Sequence, residues 1–359
     1  MRQATIFLYL SVIVFFIYVP LDVEGQRLRL NRPHEVRAVF YNVENLFDIY
    51  DEPGKNDVMF TPEGRNKWTA ERYEKKVKDL GKVINEMGGD KHLALIGLCE
   101  VENMLVLTDL AMEIFERERD FSIIHRNSAD ARGIDVALIY DNRFFTLLSK
   151  EFIAVEPEEF PQMRTRDILY AKGILSDADT LHVYLNHWSS RRGGLAETEP
   201  RRVAAAEILR SHVDEVLARN SAANILIMGD FNDEPDNKSV KETLRAKPVE
   251  QAYEDGMLFN LVYDYVHRED IGTYKFRGNW NMLDHMIASR GLLDAGSQIH
   301  IPTKKALIFK EDWLFTEDER FGGKTIFRTY GGPNYLGGYS DHLPIYTDIQ
   351  IIPTSRRGR

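Results

Sequence analysis

The sequence predicts a mixed α/β unit in which packed sheets are covered by helices. Three observations carry that expectation. Short apolar runs of strand length alternate with amphipathic helical stretches almost to the end of the chain. Two of these runs, residues 93–99 and 225–228, are continuously apolar, as strands buried on both faces are. After residue 26 no linker-like stretch separates one part of the chain from another.

Strands are expected at residues 36–41, 93–99, 136–140, 168–175, 181–186, 225–228, 283–288 and 343–351. Residues 70–87 read as a helix: Thr69 offers an N-cap, and Leu80, Val83, Ile84 and Met87 recur at helical spacing. Residues 104–119 and 200–219 read as further helices, the second with Pro200 in its first turn. The stretch 301–339, rich in glycine and aromatics, reads as a set of loops. No internal repeat stands out.

The 359 residues carry a formal net charge of -10 and 43% apolar residues, so a large core is available without staples. That charge argues against a broad basic surface, although a local positive cleft is compatible with it. Cys99 is the only cysteine, so no intramolecular disulfide can form. At the N-terminus, Arg2 precedes an apolar run over residues 6–19 that breaks at Pro20. Residues 1–25 therefore read as an export signal, with Val23 and Gly25 before the cut; the other reading is an uncleaved anchor. No cysteine follows to accept a lipid. The expected layout is one domain over 27–352, then a basic disordered tail over 353–359 with Arg356, Arg357 and Arg359. Once the signal is removed no membrane span is expected, and the protein is expected to be exported and monomeric.

Polar residues fall at strand ends. The first strand leads into Asn42-Val43-Glu44, the second ends at Glu100, the fifth runs into Asn186-His187-Trp188, the sixth into Gly229-Asp230-Phe231-Asn232, and Ser340-Asp341-His342 precedes the last. Sheets place binding groups beyond their strand ends, so these residues can converge. Each fragment has an ordinary reading as well. Asp230 and Asn232 suit a turn, Glu100 suits a buried ion pair, Asp341 suits a local cap, and both histidines suit a core. Taken together, carboxylates and amide oxygens without cysteine suit a hard cation such as magnesium, manganese or calcium and disfavour structural zinc.

The ordered set Tyr41-Asn42-Val43-Glu44, Cys99-Glu100, Asn186-His187, Gly229-Asp230-Phe231-Asn232, Leu283-Asp284-His285 and Ser340-Asp341-His342-Leu343-Pro344 resembles the endonuclease/exonuclease/phosphatase superfamily. The resemblance runs from Val36 to Ile351. It implies a four-layer α/β sandwich: two facing mixed sheets flanked by helices, as in deoxyribonucleases. It also implies roles. Glu100 is the principal ligand of Mg²⁺, with Mn²⁺ or Ca²⁺ as alternatives, and Asn42 and Asp341 support it. Asp230 orients or deprotonates water with Asn232 beside it, His342 contacts phosphate with Asp284 orienting it, and His187 is a phosphate ligand or proton donor.

The roles are chemically coherent. A phosphate ester repels a nucleophile, so the site must neutralise charge, activate water and stabilise the leaving oxygen. Arg191, Arg192 and Arg132 are candidate phosphate contacts, or a solvated pair and a partner of Asp130 or Asp135. Trp280, Tyr330, Tyr335 and Tyr339 are candidates for an aromatic substrate wall, or loop packing. His285, next to Asp284 on a strand, points the other way and reads as structural. The expected function is a divalent-metal-dependent hydrolase of phosphate esters, foremost a nuclease acting on nucleic acid. The alternative substrates are small or lipid-linked phosphates of inositol phosphate or sphingomyelin type. A non-catalytic binding protein on the same fold is the third reading.

Overall fold

The structure, a computed structural model, describes residues 32–115 and 120–353. The expected export segment, the end of the second expected helix and the tail beyond residue 353 lie outside the described residues. The first half runs β1 (His34–Leu46), α1 (Ala70–Gly88), β2 (His92–Val101), α2 (Met104–Ile114), β3 (Phe121–Ile124) and β4 (Asp135–Asp141). It continues with β5 (Phe145–Ile153), β6 (Ile168–Leu175) and β7 (Asp179–His187). Then come α3 (Leu195–Arg219), β8 (Asn224–Asp230), β9 (Ala246–Lys247), β10 (Leu258–Asn260), β11 (Tyr274–Phe276), β12 (Asn279–Asn281), β13 (Asp284–Ser289) and α4 (Arg290–Leu293). Short strands follow, β14 (Ile299–His300), β15 (Leu307–Ile308), β16 (Phe315–Glu317), β17 (Lys324–Ile326), β18 (Tyr330–Gly331) and β19 (Asn334–Tyr335), before β20 (Ile345–Ile351).

Two mixed sheets face each other. One has the order β14-β20-β1-β2-β4-β3 with β15 beside β20; the other has β5-β6-β7-β8-β13-β10-β9. Alternation along β8 shows how the layers are filled. Leu226 and Met228 join Phe40 and Leu98 in the core between the sheets, whereas Ile225 and Ile227 turn outward onto Leu209 and Val213 of α3. On the outer face of the first sheet, Leu80, Val83, Ile84 and Met87 of α1 are fully buried, each such side chain contributing roughly 1.5–3 kcal/mol. This is the four-layer sandwich.

Local signals set most element ends. Thr69 caps α1 by accepting the Arg72 amide at 3.4 Å, and Asn103 caps α2 through the amides of Leu105 and Val106. Several elements differ from the sequence expectation, among them short strands such as β3 and β9–β12 that fall outside the expected runs. Helix α3 starts at Leu195, so Pro200 lies inside it. At the start of α3 the Thr198 hydroxyl donates to the Gly194 carbonyl at 2.7 Å and the Arg202 guanidinium to the Leu195 carbonyl at 3.1 Å, so side chains supplement the backbone bonds of its first turn. Strand β5 lies outside the expected strands: it is an edge strand whose exposed middle, Leu148–Glu151, carries the polar run Ser149-Lys150-Glu151 and breaks the apolar pattern. Stretch 301–339 is not only loops: it holds the paired strands β16–β17 and β18–β19.

Gly97 marks the closest approach of the sheets. A Cβ there would meet Leu185 at 2.5 Å and Phe40 at 3.2 Å. Gly97→Ala should therefore cost about 1–3 kcal/mol by overpacking, read as a lower urea midpoint at unchanged slope; an unchanged midpoint would contradict this sheet spacing.

Candidate active site

The strand ends gather at one rim. Strands β7, β8 and β13 are neighbours in exact pairing register, which sets His187 against Asp230 and Asp230 against Asp284. Side chains paired in this way share a face of the sheet. Across the sandwich, β1 and β2 run in parallel until Asn42 pairs with Cys99, and the register then slips before Leu46 pairs with Val101. Within that bulge Glu44, Asn45 and Glu100 adopt φ of 49°, 54° and 63°. Left-handed backbone costs an L-residue roughly 1–2 kcal/mol, so side chains must hold it. The Asn45 amide donates to Glu100 Oε2 at 3.0 Å and the Glu44 amide to Asn42 Oδ1 at 3.1 Å.

Asp230 lies at the centre. Its Oδ2 accepts from Asn42 Nδ2 at 3.0 Å and lies 3.6 Å from His187 Nε2 and 3.9 Å from His342 Nε2. Asp284 Oδ2 sits 2.6 Å from His342 Nδ1 on the far side of that ring. Asn232, itself at φ 51°, donates its backbone amide to Asp230 Oδ1 at 2.9 Å and its side-chain amide to the Trp188 carbonyl at 3.2 Å. The loop is pinned from α3 by the fully buried Arg202–Asp233 ion pair at 2.8 Å. The last motif is tied to the first: Ser340 Oγ donates to the Asn42 carbonyl at 2.6 Å and accepts the His342 amide at 3.1 Å.

The charges are distributed unevenly. Burial first, then Asp284 and Glu100, push the Asp230 carboxyl up to about 7 against the pull of His342 and the Asn232 amide. Burial works against a charge on His342, but Asp284 and Asp230 outweigh it and raise the imidazole to about 10. His187 goes the other way. Burial, then Arg166, Arg132 and His342, hold it well below its ordinary value. Asp230 thus stands between one cationic and one neutral imidazole. Asp230, Asp284 and His342 lie close enough to suggest a metal cluster. The short His342–Asp284 contact makes that pair a hydrogen-bonded acid–imidazole dyad instead, with Asp230 3.9 Å away across the ring.

Acidic donors for a cation lie next to this dyad. Glu100 spends one oxygen on the Asn45 amide, while Oε1 faces the cleft 3.8 Å from His187 Nε2. Asp341 spends Oδ2 on Arg328 at 2.8 Å. Asn42 is engaged at both ends of its amide, so it positions Asp230 as well as being available through an oxygen lone pair. This hard-oxygen set fits a divalent metal. Arg328 also reaches Glu44 at 3.3 Å, and buried Lys76 donates to Thr329 Oγ1 at 2.6 Å and to the Tyr339 carbonyl. Burial lowers the Lys76 amine to about 8, with Glu44, Asp341 and Glu100 pulling it back up.

The remaining sequence candidates separate by position. Arg132 and Arg192 are exposed at the rim of the cleft of about 730 Å³ that Glu100, His187, Asp230 and His342 line. Arg132 stands 3.5 Å from Asp130, whose closer partner is Arg166 at 2.9 Å. Arg191 is occupied within the fold: it donates to the Asn232 carbonyl at 2.7 Å, Asn281 at 3.1 Å and Asn237 at 2.9 Å, so it clamps the Asp230 loop. Trp280 packs edge-on against Phe315 beneath Lys275; the aromatics lining the cleft are Tyr274 and Phe276. Tyr330 and Tyr335 pack together near Phe60 and Trp68, and Tyr339 packs on Trp313. His285 is structural, bonded to Asn260 and the Met282 carbonyl and stacked on Phe231. Sequence reasoning missed Arg328 and Lys76, which carry no local signal. It also missed Tyr274 and Phe276, whose alternation before the Arg277-Gly278 turn was a readable hairpin signature.

The model of the Endonuclease/Exonuclease/phosphatase family matches residues 37–351. No curated protein matches in sequence. Among solved structures, an endonuclease/exonuclease/phosphatase family protein from Bacteroides thetaiotaomicron is 13% identical, with TM-score 0.55 over 89% of this chain and 99% of that one. A mannosyl-6-phosphatase from the same species is 14% identical, with TM-score 0.53 over 88% and 99%. Danio rerio TDP2 complexed with a single-strand DNA product is 12% identical, with TM-score 0.52 over 88% and 98%. The two facing sheets and the family match agree, and the chain belongs to the endonuclease/exonuclease/phosphatase family of metal-dependent phosphoesterases.

Proposed function

We propose that this protein is an exported, magnesium-dependent nuclease that hydrolyses phosphodiester bonds by water attack. The observation that carries the hydrolytic step is Asp230: a buried carboxylate with a proton affinity near neutrality, between two imidazoles of opposite charge state. Water placed by Asp230 and Asn232 loses its proton to Asp230 as its oxygen bonds to phosphorus. The bond to the leaving oxygen breaks, and that oxygen takes a proton from solvent. His342, held cationic by Asp284, offers Nε2–H to the charge growing on the phosphoryl oxygens. His187, neutral, offers a hydrogen bond without further charge. A divalent ion on Glu100, with Asp341 and Asn42, supplies Lewis-acid neutralisation of the phosphate when bound.

A strand-like polyanion fits the surroundings best. Beside the cleft lies a groove of about 660 Å³ that shares Arg132 and Arg192 with it and adds Arg164 and Arg201, all four exposed. Phe276, 54% exposed, and Tyr274 supply stacking faces within the cleft itself. This supports a single strand with phosphates on either side of the scissile bond. The TDP2 relative bound to a single-strand DNA product supports the same reading; the mannosyl-6-phosphatase relative supports the small-phosphate alternative. Among the described residues no helix is long and apolar enough to cross a membrane.

Asp230→Asn or Glu100→Gln should lower kcat at least ~10²-fold with folding unchanged; near-normal turnover in either removes that residue's role. Since Asp230 works ionised and His342 works protonated, activity should fall below about 7 and above about 10. A bound cation moves the acid limb lower, and Asp284→Asn should bring the alkaline limb down. Arg132→Ala and Arg192→Ala should raise KM for single-stranded DNA and flatten its salt dependence by roughly 0.7 per arginine in the log–log slope, leaving bis(p-nitrophenyl) phosphate unaffected. A panel of DNA, RNA, inositol phosphates, mannose 6-phosphate and sphingomyelin with Mg²⁺ separates the readings; turnover of a small phosphate alone would overturn the nuclease. Export predicts a mature chain beginning at Gln26 by intact mass, and an unprocessed mass contradicts it.

A further inference from the structure

A second set of acids lies away from the catalytic cleft. The loop after β1 carries Asp48, Asp51, Glu52 and Asp57, and β2 leads directly into Glu102. One carboxylate oxygen from each of Glu52, Asp57 and Glu102 lies within 4.8 Å of the others. Asp57 is 2% exposed and Glu102 1% exposed. Asp51 presents its own carboxyl to Asp57, and the Asp48 amide donates to Glu102 Oε2 at 2.7 Å.

What these acids lack is a counter-charge. Among the described residues the partners of Glu52, Asp57 and Glu102 are neutral amides, those of Asn127, Glu52 and Asp48, and no lysine, arginine or histidine makes an ion pair with them. Lys55, within the same loop, turns its amine to the carbonyls of Ser128 and Asp130. Hydrogen bonds satisfy the carboxylates only in part: Asp57 Oδ2 accepts the Glu52 amide at 2.9 Å and Glu52 Oε1 accepts Asn127 at 3.1 Å. Asp57 Oδ1 and Glu52 Oε2 are buried with no hydrogen-bond partner. A buried acceptor without a donor, amid like charges, is the arrangement that a cation relieves.

We propose that Glu52, Asp57 and Glu102 hold a calcium ion distinct from the catalytic metal. Calcium takes six to eight oxygen ligands in flexible geometry, and carboxylates on an irregular loop meet that need better than magnesium's strict octahedron. Neither histidine nor cysteine is in the set, which argues against a transition metal. The ion would fasten the loop between Phe47 and Phe60 to the end of β2. That strand end also bears Glu100, two residues before Glu102, so occupancy stiffens the bulge that carries the catalytic acid.

The test is Ca²⁺ titration of the EDTA-stripped full chain by calorimetry and thermal unfolding, in wild type, Asp57→Asn, Glu102→Gln and Glu100→Gln. Wild type and Glu100→Gln should both bind Ca²⁺ and gain several degrees in Tm at saturation. Asp57→Asn and Glu102→Gln should lose that gain, and when stripped of metal Asp57→Asn should melt above wild type because a repulsive charge is gone. The second readout separates a lost ligand from a misfolded variant. The proposal is overturned if wild type gains nothing from Ca²⁺, if Asp57→Asn and Glu102→Gln keep the gain, or if Glu100→Gln alone abolishes it. Because Glu100→Gln removes turnover without touching this site, failure here and failure of the nuclease reading give different results.

Discussion

A single buried carboxylate sets the terms for this structure. Asp230 is 2% exposed, and an ionised acid removed from water costs several kcal/mol unless neighbours compensate it. The compensation comes from three directions: the Asn42 amide, the backbone amide of Asn232, and the His342 ring. It is incomplete, because Asp284 and Glu100 oppose it, and so the carboxyl keeps its proton up to about 7. A fully compensated acid would be too weak a base to take a proton from water. A wholly uncompensated one would stay protonated.

Meeting this condition draws in both sheets. Asp230 and Asp284 come from β8 and β13 of one sheet, Asn42 and Glu100 from the bulged ends of β1 and β2 in the other, and His342 from the loop before β20. The strained residues lie at those junctions: Asn45, Glu100 and Asn232 are all left-handed, and each is held by a hydrogen bond to or from a site side chain. Beneath them the core between the sheets is close-packed, with no room for even one more methyl at Gly97. Such a core fixes the separation of the two rims and hence the position of Asn42 against Asp230. Arg202 and Arg191 act on the same loop from the outside, one through Asp233 and the other through the Asn232 carbonyl.

Much of this was legible in the sequence because strand periodicity and polar strand ends are local signals. The continuous apolar runs located β2 and β8, and the residues just past them are Glu100 and Asp230, both at the rim. The pairing of Asp284 with His342, implied by the resemblance, is present at 2.6 Å. What escaped depended on how loops fold back. Arg191 and Arg192 are adjacent, yet one is drawn into the Asp230 loop and the other faces solvent. Trp280 and Tyr274 belong to the same hairpin, and only its register decides which ring meets the cleft. Arg328 joins Glu44 to Asp341, residues nearly three hundred positions apart, and no periodicity encodes that contact.

Two histidines of opposite charge state stand on either side of one acid. Isotope-edited NMR of the imidazole nitrogens in the intact protein, with His187→Gln and His342→Gln used for assignment, reads that opposition directly. The expected result is a His342 ring that stays cationic through pH 9 and a His187 ring that is neutral throughout the folded range. Two rings titrating together near their ordinary value of about 6.5 would contradict it.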